Sequence, residues 1–163
     1  MKMEAQTFDL KFILNGKEVN ALVDTRETLL DVIRDSFGLT GAKKGCDEAA
    51  CGACSVLFNG HAVCSCTMLA AEAHGGNIVT VEGLSSNGEP AFLQKAFMEN
   101  DALQCGFCTS GQIIAAASLL DNAEKELDDH EIREGMSGNV CRCGAYNKIF
   151  HAVSEASRKR GVK

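Results

Sequence analysis

Nine cysteines stand in a chain of 163 residues, and eight of them fall into two quartets whose spacing has chemical meaning. The first is Cys46-x4-Cys51-x2-Cys54, with Cys66 after eleven intervening residues. Three cysteines at x4 and x2 followed by a distant fourth is the plant-type spacing for a [2Fe–2S] cluster. Four thiolates must converge on two irons bridged by sulfides, so the backbone has to wrap closely around a compact anionic object. Gly45 and Gly52 in the cluster loop allow that tight curvature and close approach, and backbone N–H groups exposed there can donate to the sulfurs and tune the potential. Zinc is the rival metal, but structural zinc sites use C-x2–4-C pairs rather than one loop carrying three ligands.

The second quartet is Cys105-x2-Cys108 with Cys141-x1-Cys143. Each pair precedes a helical pattern, one starting near Thr109 and the other near Ala145. Two helix N-termini would face one site, and their positive dipole ends favour an anionic thiolate cluster. The alternatives for this set taken alone are a four-cysteine zinc site or a redox dithiol at Cys105 and Cys108. Cys64 is left over. It lies two residues from Cys66 on one expected strand face, and spacing does not say which of the two is the ligand. The four histidines, His61, His74, His130 and His151, are scattered, and eight cysteines already fill two sites.

The bulk numbers narrow the class. Sixteen basic and 22 acidic side chains give a formal charge of −6, which argues against a nucleic-acid binder. A hydrophobic fraction of 45% is that of a globular chain. No apolar run approaches the roughly 20 residues that span a bilayer, and the N-terminus lacks the pattern of an export signal. Dense, odd-numbered cysteine without an export signal points to metal chemistry in a reducing cytoplasm rather than to a disulfide framework. No phosphate-binding glycine loop and no nucleophile beside a base is present, so no catalytic residue is expected on this chain.

Elements must position these quartets. Residues 7–14 and 17–23 alternate as strands around Asn15-Gly16, and residues 54–58 and 61–67 do so around Asn59-Gly60, the strongest short hairpin signals. A helix is expected from Thr28 to Phe37, stopped by Gly38, with a short helix near Met68–Ala73 and a strand over Asn77–Val81. The turn-rich run GLSSNGEP, with the only proline, marks a linker. Beyond it the period is helical: Phe92–Phe97, Ile113–Leu120, Asp129–Glu134 and Tyr146–Val153. The expectation is an α+β chain of two domains, 1–83 rich in strands and 84–163 an all-α four-helix bundle.

The segments GAKKGCDEAACGACSV, AVCSCTMLA, LQCGFCTSGQI and GNVCRCGAYNKI resemble the motifs of the iron–sulfur subunit of the molybdenum hydroxylases, the xanthine oxidase and aldehyde oxidase family. The resemblance runs over nearly the whole chain in the family's order. It implies a β-grasp ferredoxin-like domain with one [2Fe–2S] cluster and a four-helix bundle with a second. It also implies partner subunits: a large one carrying molybdopterin, in a dinucleotide form, and a medium one carrying FAD. It makes Cys66 the fourth ligand of the first cluster, with Cys46, Cys51 and Cys54, on the flavin side. Cys105, Cys108, Cys141 and Cys143 would hold the second, on the molybdenum side, with Gln104 contacting the pterin. The implied function is electron transfer within an aldehyde- or N-heterocycle-oxidising complex in the cytoplasm, with no nucleic acid or membrane involved; the alternative is a free-standing two-cluster ferredoxin. Three departures are visible. Ser110 stands where the family commonly has proline, Ala49 and Ala50 replace a frequent loop glycine, and CRCGAY replaces the commoner CRCTGY.

Overall fold

The computed structural model describes residues 6–85 and 87–160. The first five residues of the segment read for an export signal, Ser86 of the expected linker, and the last three residues lie outside the described residues.

Alternating polar and apolar residues make β1 (Thr7–Leu14) and β2 (Lys17–Asp24) an antiparallel hairpin. Its turn residues Asn15 and Gly16 take φ of 51° and 78°, the left-handed pair that a two-residue turn requires. The same chemistry recurs at Asn59 and Gly60, φ 51° and 86°, between β3 (Ser55–Phe58) and β4 (His61–Cys64). β5 (Asn77–Val79) runs parallel to β1 and antiparallel to β3, giving one mixed sheet in the order β2-β1-β5-β3-β4.

The sheet packs around a short helical segment. The Thr28 hydroxyl caps α1 (Leu29–Asp31) by accepting from the Asp31 N–H, and the helix widens into a π-turn over Val32–Ser36. Gly38, at φ 67°, follows it. Leu29, Leu30, Val32 and Ile33 are fully buried against Leu10, Val56 and Ile78 in the first core. Two expected elements are shorter than the sequence suggests. β4 ends at Cys64 rather than at residue 67, because Leu29 and Leu30 N–H groups capture the Met68 and Ser65 carbonyls (2.8 and 3.0 Å) and pull the chain into a turn. The helix near Met68–Ala73 is a single 3₁₀ turn, Ala70–Ala73.

The helical half is built from α2 (Phe92–Glu99), α3 (Thr109–Asp121), α4 (Asp129–Gly135) and α5 (Tyr146–Arg160). They bury a second core around Phe97, Ile113, Ile132, Met136 and Ile149. α3 also packs on β3 and β4, so it spans both halves. Its Ser118 hydroxyl accepts from the Ala62 N–H at 3.0 Å, covering the edge of β4. The segment read as a linker is not loose at its start: Val81–Leu84 is a 3₁₀ turn, and Glu82 accepts from the Gly41 N–H at 2.7 Å. The basic end of α5 is tied down, since Arg160 binds Asp121 of α3.

Candidate iron–sulfur centres

Among the described residues no three His, Cys, Asp or Glu side chains converge as the ligands of a single ion would. The cysteine side chains meet as Cys46 with Cys51, Cys105 with Cys143, and Cys108 with Cys141, while Cys54 meets both Cys66 and Cys64. All nine are free thiols.

Cys46, Cys51 and Cys54 lie on the loop between the π-turn and β3, and Cys66 follows β4; Cys54 and Cys66 are buried. Asp47 and Ala49 have φ of 63° and 59°. Left-handed residues alternating along a loop turn successive N–H groups toward one concave face, an anion-binding nest. Those groups reach sulfur: Ala50 N–H donates to Cys46 Sγ at 3.2 Å and Ala49 N–H to Cys66 Sγ at 3.4 Å. The Glu48 N–H holds the Cys46 thiol down to about 7, helped by the Cys51 side chain and the Ala50 amide. Burial does the opposite at Cys66, pushing its thiol up to about 11, and also raises Cys54. The Arg34 guanidinium braces the loop's approach through the Thr40 and Ala42 carbonyls (3.1 and 2.7 Å). Of the expected Lys43-Lys44 pair, Lys44 is bound to Asp31 and Asp47. Ser65, fully buried, donates to the Cys54 carbonyl at 2.7 Å and so ties the two buried cysteines' segments together.

Cys64 and Cys66 differ in what their sulfurs face. Cys66 Sγ accepts an amide N–H, which favours a thiolate. Cys64 Sγ sits 3.8 Å from the Ala49 carbonyl oxygen, an arrangement in which sulfur must be the donor and keep its proton. Burial raises both thiols, so the difference between them lies in these hydrogen-bond partners alone.

The second quartet lies where α3 and α5 begin, as the helical periods require. The Phe107 N–H lowers the Cys105 thiol. Burial works to raise Cys141, but the Ala145, Cys143 and Gly144 amides and the Cys108 side chain outweigh it. Ala145 N–H donates directly to Cys141 Sγ at 3.4 Å, while Cys108, buried behind it, is pushed up to about 12. The Cys141 amide is itself held by the hydroxyl of Tyr146, at 2.8 Å. Cys105, Cys143 and Gln104 are exposed, and the Gln104 amide donates to the Cys143 carbonyl at 3.3 Å, so these three mark one surface point.

The two loops touch. Val140 N–H donates to the Cys51 carbonyl at 2.9 Å, one residue before Cys141. Asn139, buried, donates through Nδ2 to the Gly52 carbonyl at 3.0 Å, and its own carbonyl accepts from the buried Gln112 at 3.2 Å. Gly52 (φ 68°) leaves no room for a side chain here, since a Cβ would lie 2.5 Å from Asn139 Nδ2. Gly111 of α3 is equally constrained, its Cβ position being 2.2 Å from the Gly52 oxygen. Sequence reading singled out Gly45 and Gly52 but missed Gly111, Gln112, Asn139, Ser65 and Tyr146. All five sit inside segments already quoted, but nothing local to them shows what they touch. The departure at Ser110 places its hydroxyl, buried and without a partner, in the first turn of α3.

Residues 12–78 match the family model for a 2Fe-2S iron-sulfur cluster binding domain, and residues 80–154 that for a [2Fe-2S] binding domain. The chain is 47% identical to the nicotinate dehydrogenase small FeS subunit of Eubacterium barkeri, over 88% of this chain and 90% of that one. It is 44% identical to the aldehyde oxidoreductase iron-sulfur-binding subunit of Escherichia coli, over 88% and 69% respectively. The crystal structure of quinoline 2-oxidoreductase from Pseudomonas putida 86 contains a chain of the same fold, with a TM-score of 0.86 and 41% identity, over 97% of this chain and all of that one. The β-rich half followed by a helical half is therefore a ferredoxin-like domain followed by a helical domain, and the nest amides and paired sulfurs fit two [2Fe–2S] clusters. The chain belongs to the family of two-cluster iron–sulfur small subunits of the molybdenum hydroxylases.

Proposed function

We propose that this chain is the electron-transfer subunit of a molybdenum-containing oxidoreductase, relaying electrons between a molybdopterin site on a large partner and FAD on a medium partner. Each [2Fe–2S] cluster, when bound, takes up and gives back one electron at a time; everything else is positioning by this chain. Cys46, Cys51, Cys54 and Cys66 would hold the first cluster, Cys46 beside Cys51 and Cys54 beside Cys66. Cys105 beside Cys143 and Cys108 beside Cys141 would hold the second in the same way, following the pairs in which the side chains meet. Cys64 stays a protonated bystander.

One observation carries the reading. The hydrogen bond from Val140 N–H to the Cys51 carbonyl joins a residue of one quartet to the neighbour of a residue of the other. The join makes the chain a relay of two clusters, and relatives that are themselves subunits of a dehydrogenase and an oxidoreductase favour the subunit over a free two-cluster ferredoxin. The outer ends of the relay are both accessible. Gln104 and Cys143 form the exposed point offered to the pterin, and the exposed loop around Gly45–Ala50 is offered to the flavin subunit. Gly45 and Gly52 shape the cluster loop. The domains divide as 1–83 and 84–163, the second a four-helix bundle in which α5 packs on α2, α3 and α4. Relatives that act on nicotinate, aldehydes and quinoline support aldehyde or N-heterocycle oxidation by the complex. No described helix is long and apolar enough to cross a membrane, and we place the complex in the cytoplasm.

Size-exclusion of a native extract tests the subunit role. Co-elution of this chain with two larger chains carrying molybdopterin and FAD is the expected result. A lone small iron–sulfur protein would instead make it a free two-cluster ferredoxin.

A further inference from the structure

A cavity of about 310 Å³ lies between the two centres. Cys46 and Cys51 of the first quartet line it, as do Cys105, Cys108 and Cys141 of the second, and Phe107 is its aromatic wall. Phe107 holds both loops at once. Its N–H donates to the Cys105 sulfur. Its ring edge reaches over the first loop: a Cβ placed on Gly45 would be 3.5 Å from Phe107 Cε1 and 3.0 Å from Cys51 Sγ. At Gly45 the close approach is that of the Cys51 sulfur, while the Phe107 ring edge lies at ordinary contact distance over the same point. Yet Phe107 belongs to neither hydrophobic core, and 49% of it is exposed in this chain. A large apolar ring that fills no core, spans two ligand loops and closes a cavity lined by sulfurs of both has a different task from packing.

We propose that Phe107 is the shield that keeps water from the space between the two clusters, and is thereby a positioning residue for their reduction potentials. The inference rests on the ligand assignment given above. Reduction adds one negative charge to an already anionic centre. Apolar surroundings disfavour that charge and water favours it, so solvent access raises the potential. The spacing of the clusters does not depend on Phe107. It is set by the Val140–Cys51 and Asn139–Gly52 hydrogen bonds, which leave the ring untouched.

The test is a redox titration followed by electron paramagnetic resonance, on the protein purified with its partner subunits. In Phe107→Ala both midpoints rise, at least one by a tenfold change in the reduction equilibrium, which is 59 mV for one electron. The magnetic splitting between the two reduced clusters stays as in the wild type. Phe107→Leu, which keeps part of the apolar cover, shifts the midpoints in the same direction by less. Wild-type midpoints in Phe107→Ala, with both signals present, overturn the proposal. A lost splitting also overturns it, because the ring would then be setting distance rather than excluding water. If Phe107→Ala loads fewer clusters, the Phe107→Leu protein decides by the same two criteria. Failure of the ligand assignment looks different: the wild-type protein itself would lack two cluster signals.

Discussion

Gly111→Ala probes the contact on which the relay depends. The added Cβ would lie 2.2 Å from the Gly52 oxygen and 3.0 Å from Ala53 Cα, both backbone atoms that cannot swing aside. Restoring ordinary contact requires α3 and the first cluster loop to separate by roughly 1 Å. Gln112 ties Asn139 to α3, so that retreat drags Asn139 from the Gly52 carbonyl and Val140 from the Cys51 carbonyl. Bonds now 3.0 and 2.9 Å long would pass out of hydrogen-bond range. Overpacking costs about 1–3 kcal/mol and each lost hydrogen bond about 1 kcal/mol, together about 3–5 kcal/mol. For a chain of this size that lowers the melting temperature by roughly 6–20 °C. The assay is thermal unfolding beside Gly138→Ala, a control whose Cβ meets nothing within 4 Å. The separation of the clusters also grows, so the magnetic splitting weakens in Gly111→Ala alone. A melting temperature no lower than that of the Gly138→Ala control would refute the reasoning.

Three further outcomes follow from the site geometry. Ala49 holds a left-handed backbone at φ 59° without being glycine, so Ala49→Gly relieves strain of about 1–2 kcal/mol, less the extra freedom glycine gains when unfolded, and raises the melting temperature slightly; a fall would show the loop to be unstrained. Cys66→Ser abolishes one of two paramagnetic signals whereas Cys64→Ser leaves both, and the reverse pattern would exchange their roles. In the cluster-free chain Cys46 is alkylated before Cys66 near neutral pH, because the thiolate is the nucleophile. With Cys46 held at about 7 and Cys66 raised to about 11, labelling of Cys46 falls as pH drops through 7 while Cys66 stays inert. Equal rates at the two, followed by mass spectrometry, would contradict the nest.

The hairpins were legible because Asn15-Gly16 and Asn59-Gly60 encode a left-handed pair locally, needing no partner elsewhere. The helices were legible from periodic apolar faces; the proposed ligand sets rest on the cysteine spacing, since a loop that wraps a cluster must bring its own ligands. What escaped is long-range. Nothing near Gly111 announces that Gly52 will press on it, and Asn139 is unremarkable until Gly52 and Gln112 meet it. The end of β4 was misplaced for the same reason, because Leu29 and Leu30 bend the Cys64–Met68 segment from across the domain. Choosing between Cys64 and Cys66 likewise needed the Ala49 peptide, whose N–H faces one sulfur and whose oxygen faces the other.

Iron and acid-labile sulfide analysis of the natively purified protein, with its reduced paramagnetic spectrum, tests the central claim most directly. Two [2Fe–2S] clusters require about four irons and about four sulfides per chain, and two distinct signals on reduction. Tightly bound zinc in place of iron, or a colourless protein without sulfide, would contradict the account.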